Sequence, residues 1–235
     1  IDNLVVSSTG SAASQDYTII DSKNFTVTSD NQNPLVGSEG PVSLAFDNDP
    51  STFWHSNYTP YQALPATVEI DMNKVYNINQ FDYLPRQTGS NGHITQYELY
   101  VKENENDEYT KVSEGTLAAN STLKSITLDA VNARYVKFVA LAGTGVGTQQ
   151  FAAAAEFTVR QIDDKADLRK LVNTAENYEE EYYTEASWQV YSEALVLANQ
   201  ILDKEEATEE EIATAIETLS TAINNLVEVD TELET

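Results

Sequence analysis

The chain of 235 residues carries 38 Asp and Glu against 13 Lys and Arg, a net charge of -25, with two His and no Cys. That balance excludes nucleic acid as a partner, because phosphate binding needs clustered Lys and Arg, and it argues against anionic membranes. The absence of Cys excludes disulfides, zinc–thiolate sites and thiol nucleophiles without excluding secretion.

No apolar run approaches the roughly 18 residues needed to span a bilayer, so membrane insertion is not expected. Ile1 begins without a charged n-region or signal-like apolar run, so the chain reads as a piece of something larger. Residues 1–22, IDNLVVSSTGSAASQDYTIIDS, set two short apolar runs among Ser, Ala and Thr. They read as an entry segment or edge strand.

From residue 25 to 160 the period is that of strands. FTVTS, ATVEIDM, QYELYVK, KSITLDA, ARYVKFVAL and EFTVRQI are short runs rich in β-branched and aromatic residues, separated by Gly, Pro and Asn clusters. Several strands without long helices between them indicate a sandwich or barrel, and residues 23–162 suffice for a two-sheet core. Asn24, Asn57 and Asn120 each begin an N-x-S/T sequon, which matters only in a eukaryotic secretory host.

Residues 44–55, LAFDNDPSTFWH, concentrate chemistry. Asp47, Asn48, Asp49, Ser51 and Thr52 put oxygen donors in a tight turn, which suits a hard cation such as calcium. A turn in which Asp47, Asp49 and Ser51 merely cap local amides fits the spacing equally well.

All nine Gly and all six Pro lie at or before Gly147, and this shift marks a boundary into a helical region. From about residue 163, Leu168, Leu171, Val172, Ala175, Tyr178 and Tyr182 recur at three and four. So do Trp188, Tyr191, Leu195, Ala198 and Leu202, and then Ile212, Ala215, Ile216, Leu219, Ile223 and Leu226.

Three amphipathic helices are predicted, with Thr184 capping the second and Thr208 with Glu211 forming a capping box for the third. Short connections make residues 163–235 an up-down-up bundle. Tyr178, Tyr182, Tyr183, Trp188 and Tyr191 are assigned to its core and first turn-around. The region holds 20 acidic and 4 basic residues, read as a solvated helical surface. The junction at residues 161–165 has neither Gly nor Pro, so a short, stiff connection is expected.

Four blocks in order, LAFDNDPSTFWHSNY, FDYLPRQTGSNGHITQYELYV, ARYVKF and FAAAAEFTV, resemble the discoidin or coagulation factor 5/8 type C superfamily, and within it the family 32 carbohydrate-binding modules. YTEASWQVYSEALVLANQIL followed by ATEEEIATAIETLSTAINNL resembles the "found in various architectures" helical module, FIVAR, of bacterial surface and glycan-degrading proteins. The fold implied is an all-β sandwich of the discoidin, galactose-binding jelly-roll kind, followed by an all-α three-helix bundle.

The resemblance implies a structural calcium ion. Its ligands would be the Leu44 carbonyl, Asp47, Asp49 and Thr52, joined by the Ala155 carbonyl and the Glu156 carboxylate. Asn48 stands where the family often has Gly, and Asn tolerates the left-handed turn. The resemblance also implies a site for terminal galactose or N-acetylgalactosamine, built from His55, Arg86, Asn91 and Phe151. Glu39, Tyr58 and Gln87 lie in or beside the same loops, and His93 is assigned to a strand entry.

Polar side chains bracketing the axial O4 and O3, with an aromatic ring against the sugar's apolar face, make a shallow, selective site. No Ser-His-Asp order, phosphate-cradling loop or HExxH motif is present, and no free carboxylate pair is evident for glycoside hydrolysis. The chain therefore reads as a non-catalytic targeting module of a larger, secreted or cell-surface bacterial glycoside hydrolase. The other class open to it is an adhesive or protein-binding module. The bundle serves either as a spacer or as the site of a protein partner.

Overall fold

The computed structural model describes residues 17–229, and the chain divides between Ile162 and Asp163 into two compact units. Most of the expected entry segment, residues 1–16, lies outside the described residues. The first unit runs β1 (Tyr17–Ile19), β2 (Thr26–Ser29), β3 (Glu39–Gly40), β4 (Phe53–His55), β5 (Ala66–Leu84) and β6 (Ile94–Lys102). It continues through β7 (Thr110–Thr116), β8 (Lys124–Gly143), β9 (Gly145–Val146), β10 (Gln149–Gln150), β11 (Ala153–Ala154) and β12 (Glu156–Ile162).

The main sheet has the order β1-β12-β5-β8-β6-β7, with β2 also on β5. β5 and β8 pair with each other in two main stretches. Residues 66–71 of β5 pair with 135–140 of β8, and residues 80–83 with 124–127, with register shifts between. β2 joins the first half of β5, and β12 joins the second. At the bend Asn73 has φ of 64°, and its N–H donates to Asp71 Oδ1 at 2.8 Å.

Two runs expected as separate strands, KSITLDA and ARYVKFVAL, therefore form the single β8. ATVEIDM runs on to Leu84. The sequence punctuation there marks bulges rather than turns, because a bulge shifts register without ending the ladder. β7, TKVSEGT, is polar and half exposed, so it carried no apolar alternation to read.

An aromatic core fills the sandwich. Phe81 and Phe138 stack at 5.4 Å, and Phe157 packs against Phe46, Trp54, Phe81, Tyr83 and Phe138. Trp54 is fully buried, and its indole N–H donates to the Asn31 carbonyl at 3.2 Å. Burying each large side chain is worth roughly 1.5–3 kcal/mol, which fixes β4 and the loop before it.

The second unit contains α1 (Ala166–Ala175), α2 (Glu185–Asp203) and α3 (Glu209–Asn224) around one core. α1 ends earlier than the spacing predicts. Asn177 Nδ2 donates to the Asn173 and Thr174 carbonyls, and the Tyr191 hydroxyl donates to the Ala175 carbonyl. These bonds satisfy the last turn and stop the helix.

Tyr178 and Tyr182 thus lie beyond α1, and Tyr182 is 56% exposed rather than core. Tyr178, Tyr183, Trp188 and Tyr191 do cluster, with Trp188 and Tyr191 at 4.8 Å. Thr184 occupies the N-cap of α2 without a side-chain cap bond; its hydroxyl pairs with Ser187 Oγ instead. The Thr208 and Glu211 capping box is present in both directions.

Candidate functional site

A small sheet of order β11-β4-β3 builds one end of the sandwich. Its register sets Glu39 beside Phe53 and Ala153 beside His55. Successive side chains alternate along a strand, so burying Trp54 in the main core turns Phe53 and His55 the other way.

The loop carrying Arg86 and Asn91 is tied to this sheet at Gly92. Its N–H donates to the Thr144 carbonyl at 2.9 Å, and its carbonyl accepts from the Ala153 N–H at 2.8 Å. Gly92 has φ of +88°, and a Cβ there would stand 2.8 Å from the Ala153 Cβ. Glycine is the residue that permits both the turn and the close approach.

His55 is 3% exposed. Its Nδ1 lies 2.6 Å from the Ser56 carbonyl, and a carbonyl only accepts, so Nδ1 carries the proton and Nε2 keeps a lone pair. Burial holds its pKa below the ordinary histidine value, with Arg86 adding to the effect and the Ser56 bond and Glu39 opposing it. Neutral His55 is an acceptor for a hydroxyl.

Arg86 is the complementary donor. Its Nε donates to the Thr88 carbonyl at 2.6 Å, Nη1 lies 3.5 Å from the Asn91 carbonyl, and the guanidinium sits 4.1 Å over the Phe53 ring. Burial lowers its pKa, with Glu39 and Tyr58 opposing. The guanidinium remains charged.

Phe151 is 6% exposed, flanked by the His55 ring at 5.5 Å and edge-on by Tyr61 at 5.7 Å. The open aromatic surface at this end belongs to Tyr58 and Tyr61, each 36% exposed. Tyr58 also meets His55 edge-on at 5.4 Å and donates its hydroxyl to Glu39 at 2.5 Å.

The structure thus brings together His55, Arg86, Asn91, Phe151, Glu39 and Tyr58. Gln87 is directed elsewhere, donating to the Pro85 and Ser121 carbonyls. His93 precedes β6, is 5% exposed, and has both ring nitrogens unpartnered. Phe53 and Tyr61 escaped the sequence reading. The alternation in Phe53-Trp54-His55 was the available signal for the first, and the repeat of Tyr58 three residues later the signal for the second.

The acidic turn stands beside this cluster. Asn48 has φ of 61°. Thr52 Oγ1 lies 2.7 Å from Asp47 Oδ2, 3.0 Å from the Asp49 carbonyl and 3.5 Å from the Leu44 carbonyl. One hydroxyl proton cannot serve three acceptors, so oxygens converge there in excess of donors.

Glu156 follows buried Ala155, and its Oε1 is buried without a hydrogen-bond partner. Burial first, and Asp47 second, push its carboxyl up to about 7. Asp49 Oδ1 accepts from the Ser51 N–H at 2.9 Å and hydroxyl at 2.6 Å, bonds that lower its pKa. Among the described residues no three acidic or imidazole side chains converge into a metal-holding group by themselves. A cation here needs the carbonyls and Thr52 as well, and that oxygen-rich, donor-poor set fits a hard ion such as calcium.

The F5/8 type C domain model matches residues 24–157. The chain belongs to the F5/8 type C domain family. A FIVAR domain model matches residues 164–227.

Over 145 residues, the F5/8 type C module is 33% identical to the A type blood N-acetyl-α-D-galactosamine deacetylase of Flavonifractor plautii. That match covers 61% of this chain and 18% of the deacetylase, so the chain spans under a fifth of that relative. Among solved structures, CpGH89CBM32-5 from Clostridium perfringens, in complex with GalNAc-β-1,3-galactose, is 38% identical. It has a TM-score of 0.57 and covers 60% of this chain and 99% of its own. The family 32 carbohydrate-binding module of C. perfringens NanJ, in complex with galactose, is 30% identical. Its TM-score is 0.55, and it covers 62% of this chain and 100% of its own.

The F5/8 type C module is a carbohydrate-binding module of the family 32 kind, a class generally without catalysis of its own. No helix among the described residues is long and apolar enough to cross a membrane.

Proposed function

We propose that the F5/8 type C module binds terminal galactose or N-acetylgalactosamine through the cluster around His55 and Arg86. The observation that carries this reading is the fixed tautomer of His55. A buried neutral imidazole with its Nε2 lone pair unused, beside a guanidinium with free Nη donors, pairs an acceptor with donors, as vicinal sugar hydroxyls require. Tyr58 and Tyr61 supply apolar walls for the pyranose face, with Phe151 packed behind. Two structural neighbours in complex with galactose-containing sugars support the same class of ligand.

Calcium is proposed as the support of this site, held by the Leu44 and Asp49 carbonyls, Asp47, Thr52, and the Ala155 carbonyl and carboxylate of Glu156. The ion would neutralise the acidic cluster and tie the loop before β4 to β12. Sugar binding itself falls to the chain's own side chains. The whole protein would be a secreted bacterial glycoside hydrolase that this module holds on host or mucin-type glycans, raising local substrate concentration through multivalency.

Isothermal titration with galactose and N-acetylgalactosamine tests the site. His55→Ala and Arg86→Ala should each weaken binding about tenfold or more while the fold is retained. Unchanged binding in both places the sugar elsewhere, and saturable binding to a protein that free monosaccharide does not compete away favours the adhesive class.

A further inference from the structure

The paired helices α2 and α3 carry two grooves. One seats α1, whose Leu168, Val172 and Ala175 are buried with residues of both partners. The other is lined by Val190, Leu197 and Ile201 of α2 and by Thr214, Thr218 and Thr221 of α3. With Ala194 between Val190 and Leu197, these positions recur every three to four residues and frame two cavities, of about 510 and 360 Å³, that share Leu197. Val190 is 58% exposed and Leu197 39% exposed. The rim carries Glu193, Glu210, Glu211 and Glu217, of which Glu211 is paired with Lys204 at 2.5 Å, and among the described residues lining the cavities there is no Lys or Arg.

We propose that this groove docks a cationic amphipathic helix of a partner protein, with an apolar stripe at three-to-four spacing flanked by Lys or Arg. Shape asks for a helix, because ridges of small and β-branched side chains on two neighbouring helices pack a third. Charge sets its sign: the acidic rim lies in a region of 20 acidic and 4 basic residues. A second copy of this chain would bring like charges together, and an anionic membrane would be repelled.

Within the bundle, cations gather on the one helix that the α2–α3 pair already seats. Three of its four cations, Lys165, Arg169 and Lys170, lie on α1 or at its start. Lys165 Nζ donates to the Leu202 carbonyl at the end of α2 at 3.0 Å. The proposal is independent of the sugar site.

The test uses the full chain and a fluorescein-labelled 18-residue Leu/Lys peptide with Leu at helical three-to-four spacing. Its controls are the same residues in scrambled order and the Leu/Glu counterpart. Saturable binding of the patterned peptide is expected, about tenfold or more weakened by either control and by the double substitution Leu197→Lys with Glu217→Lys. The variant should keep the melting temperature and the galactose affinity of the parent.

Equal binding of the scrambled peptide reduces the effect to charge and overturns the proposal, as does an affinity the double substitution leaves unchanged. Concentration-dependent dimerisation that the substitution abolishes assigns the groove to a second copy. Should the variant fail to fold, amide shifts of the parent on titration decide: changes centred on Val190, Leu197 and Thr218 support the groove, and changes elsewhere reject it.

Discussion

The guanidinium carbon of Arg86 lies 4.1 Å from the centre of the Phe53 ring, and Phe53 lies two residues before His55 on the same short strand. One strand thus holds the acceptor directly and the donor indirectly, since Arg86 sits in a loop that Phe53 braces. A partly desolvated cation–π contact is worth about 1 kcal/mol, so Phe53→Leu should weaken galactose roughly fivefold. Calorimetric titration in a double-mutant cycle separates bracing from packing: in an Arg86→Ala background the same change should cost nothing more in affinity. Arg86→Lys should not rescue binding, because an ammonium lacks the planar fork.

Burial of His55 gives a pH dependence of definite sign. Its folded-state pKa is depressed below 6.5, so below that pH the unfolded chain takes up the proton first. The stabilisation is fully present above pH 6.5 and is lost as pH falls through the lower folded value. Protonation also removes the Nε2 lone pair, so galactose affinity should hold level from pH 8 to 6.5 and decline only at more acid pH. An affinity midpoint at or above 6.5 would show that burial does not depress His55, and an affinity that stays level well into acid pH would show that His55 is not the acceptor.

Much of this was written locally. The block residues 44–55 showed its turn and its histidine because each is a short-range feature, and the bundle showed through its three-to-four spacing and the Thr208, Glu211 pair. What stayed hidden depends on distant partners. Two runs fused into β8 because β5 pairs with it on both sides of the bend, and Tyr182 left the core because Asn177 ended α1. Phe151 reads as a stacking wall from its type, yet His55 and Tyr61 cover its ring. Asp49 reads as a carboxylate ligand; its Oδ1 accepts from Ser51, and its carbonyl lies 3.0 Å from Thr52 Oγ1.

Removal of calcium tests the acidic cluster. An ion bound only by the folded state adds about 2.7 kcal/mol at a free concentration a hundred times its Kd, so chelation should lower the melting transition of the sandwich. It should leave that of the bundle in place. Thr52→Val removes one oxygen and should shrink the calcium-dependent increment in calorimetry. Glu156→Gln should raise the stability of the metal-free chain, since it removes a buried charge beside Asp47. An identical transition with and without chelator, in a preparation verified free of metal, would sink the calcium proposal.

Two glycines separate backbone strain from site geometry. Gly147 has φ of +63° with nothing within 4 Å of an added Cβ, whereas Gly92 has φ of +88° and meets the buried Ala153 Cβ at 2.8 Å. Gly147→Ala should therefore cost only the left-handed penalty, about 1–2 kcal/mol, and spare sugar binding. Gly92→Ala adds overpacking of roughly 1–3 kcal/mol and displaces the loop that sets Arg86 and Asn91 beside His55. Thermal denaturation should rank Gly92→Ala below Gly147→Ala, and titration should show galactose affinity falling in Gly92→Ala alone. Equal affinities in the two variants would mean that this loop does not position the sugar.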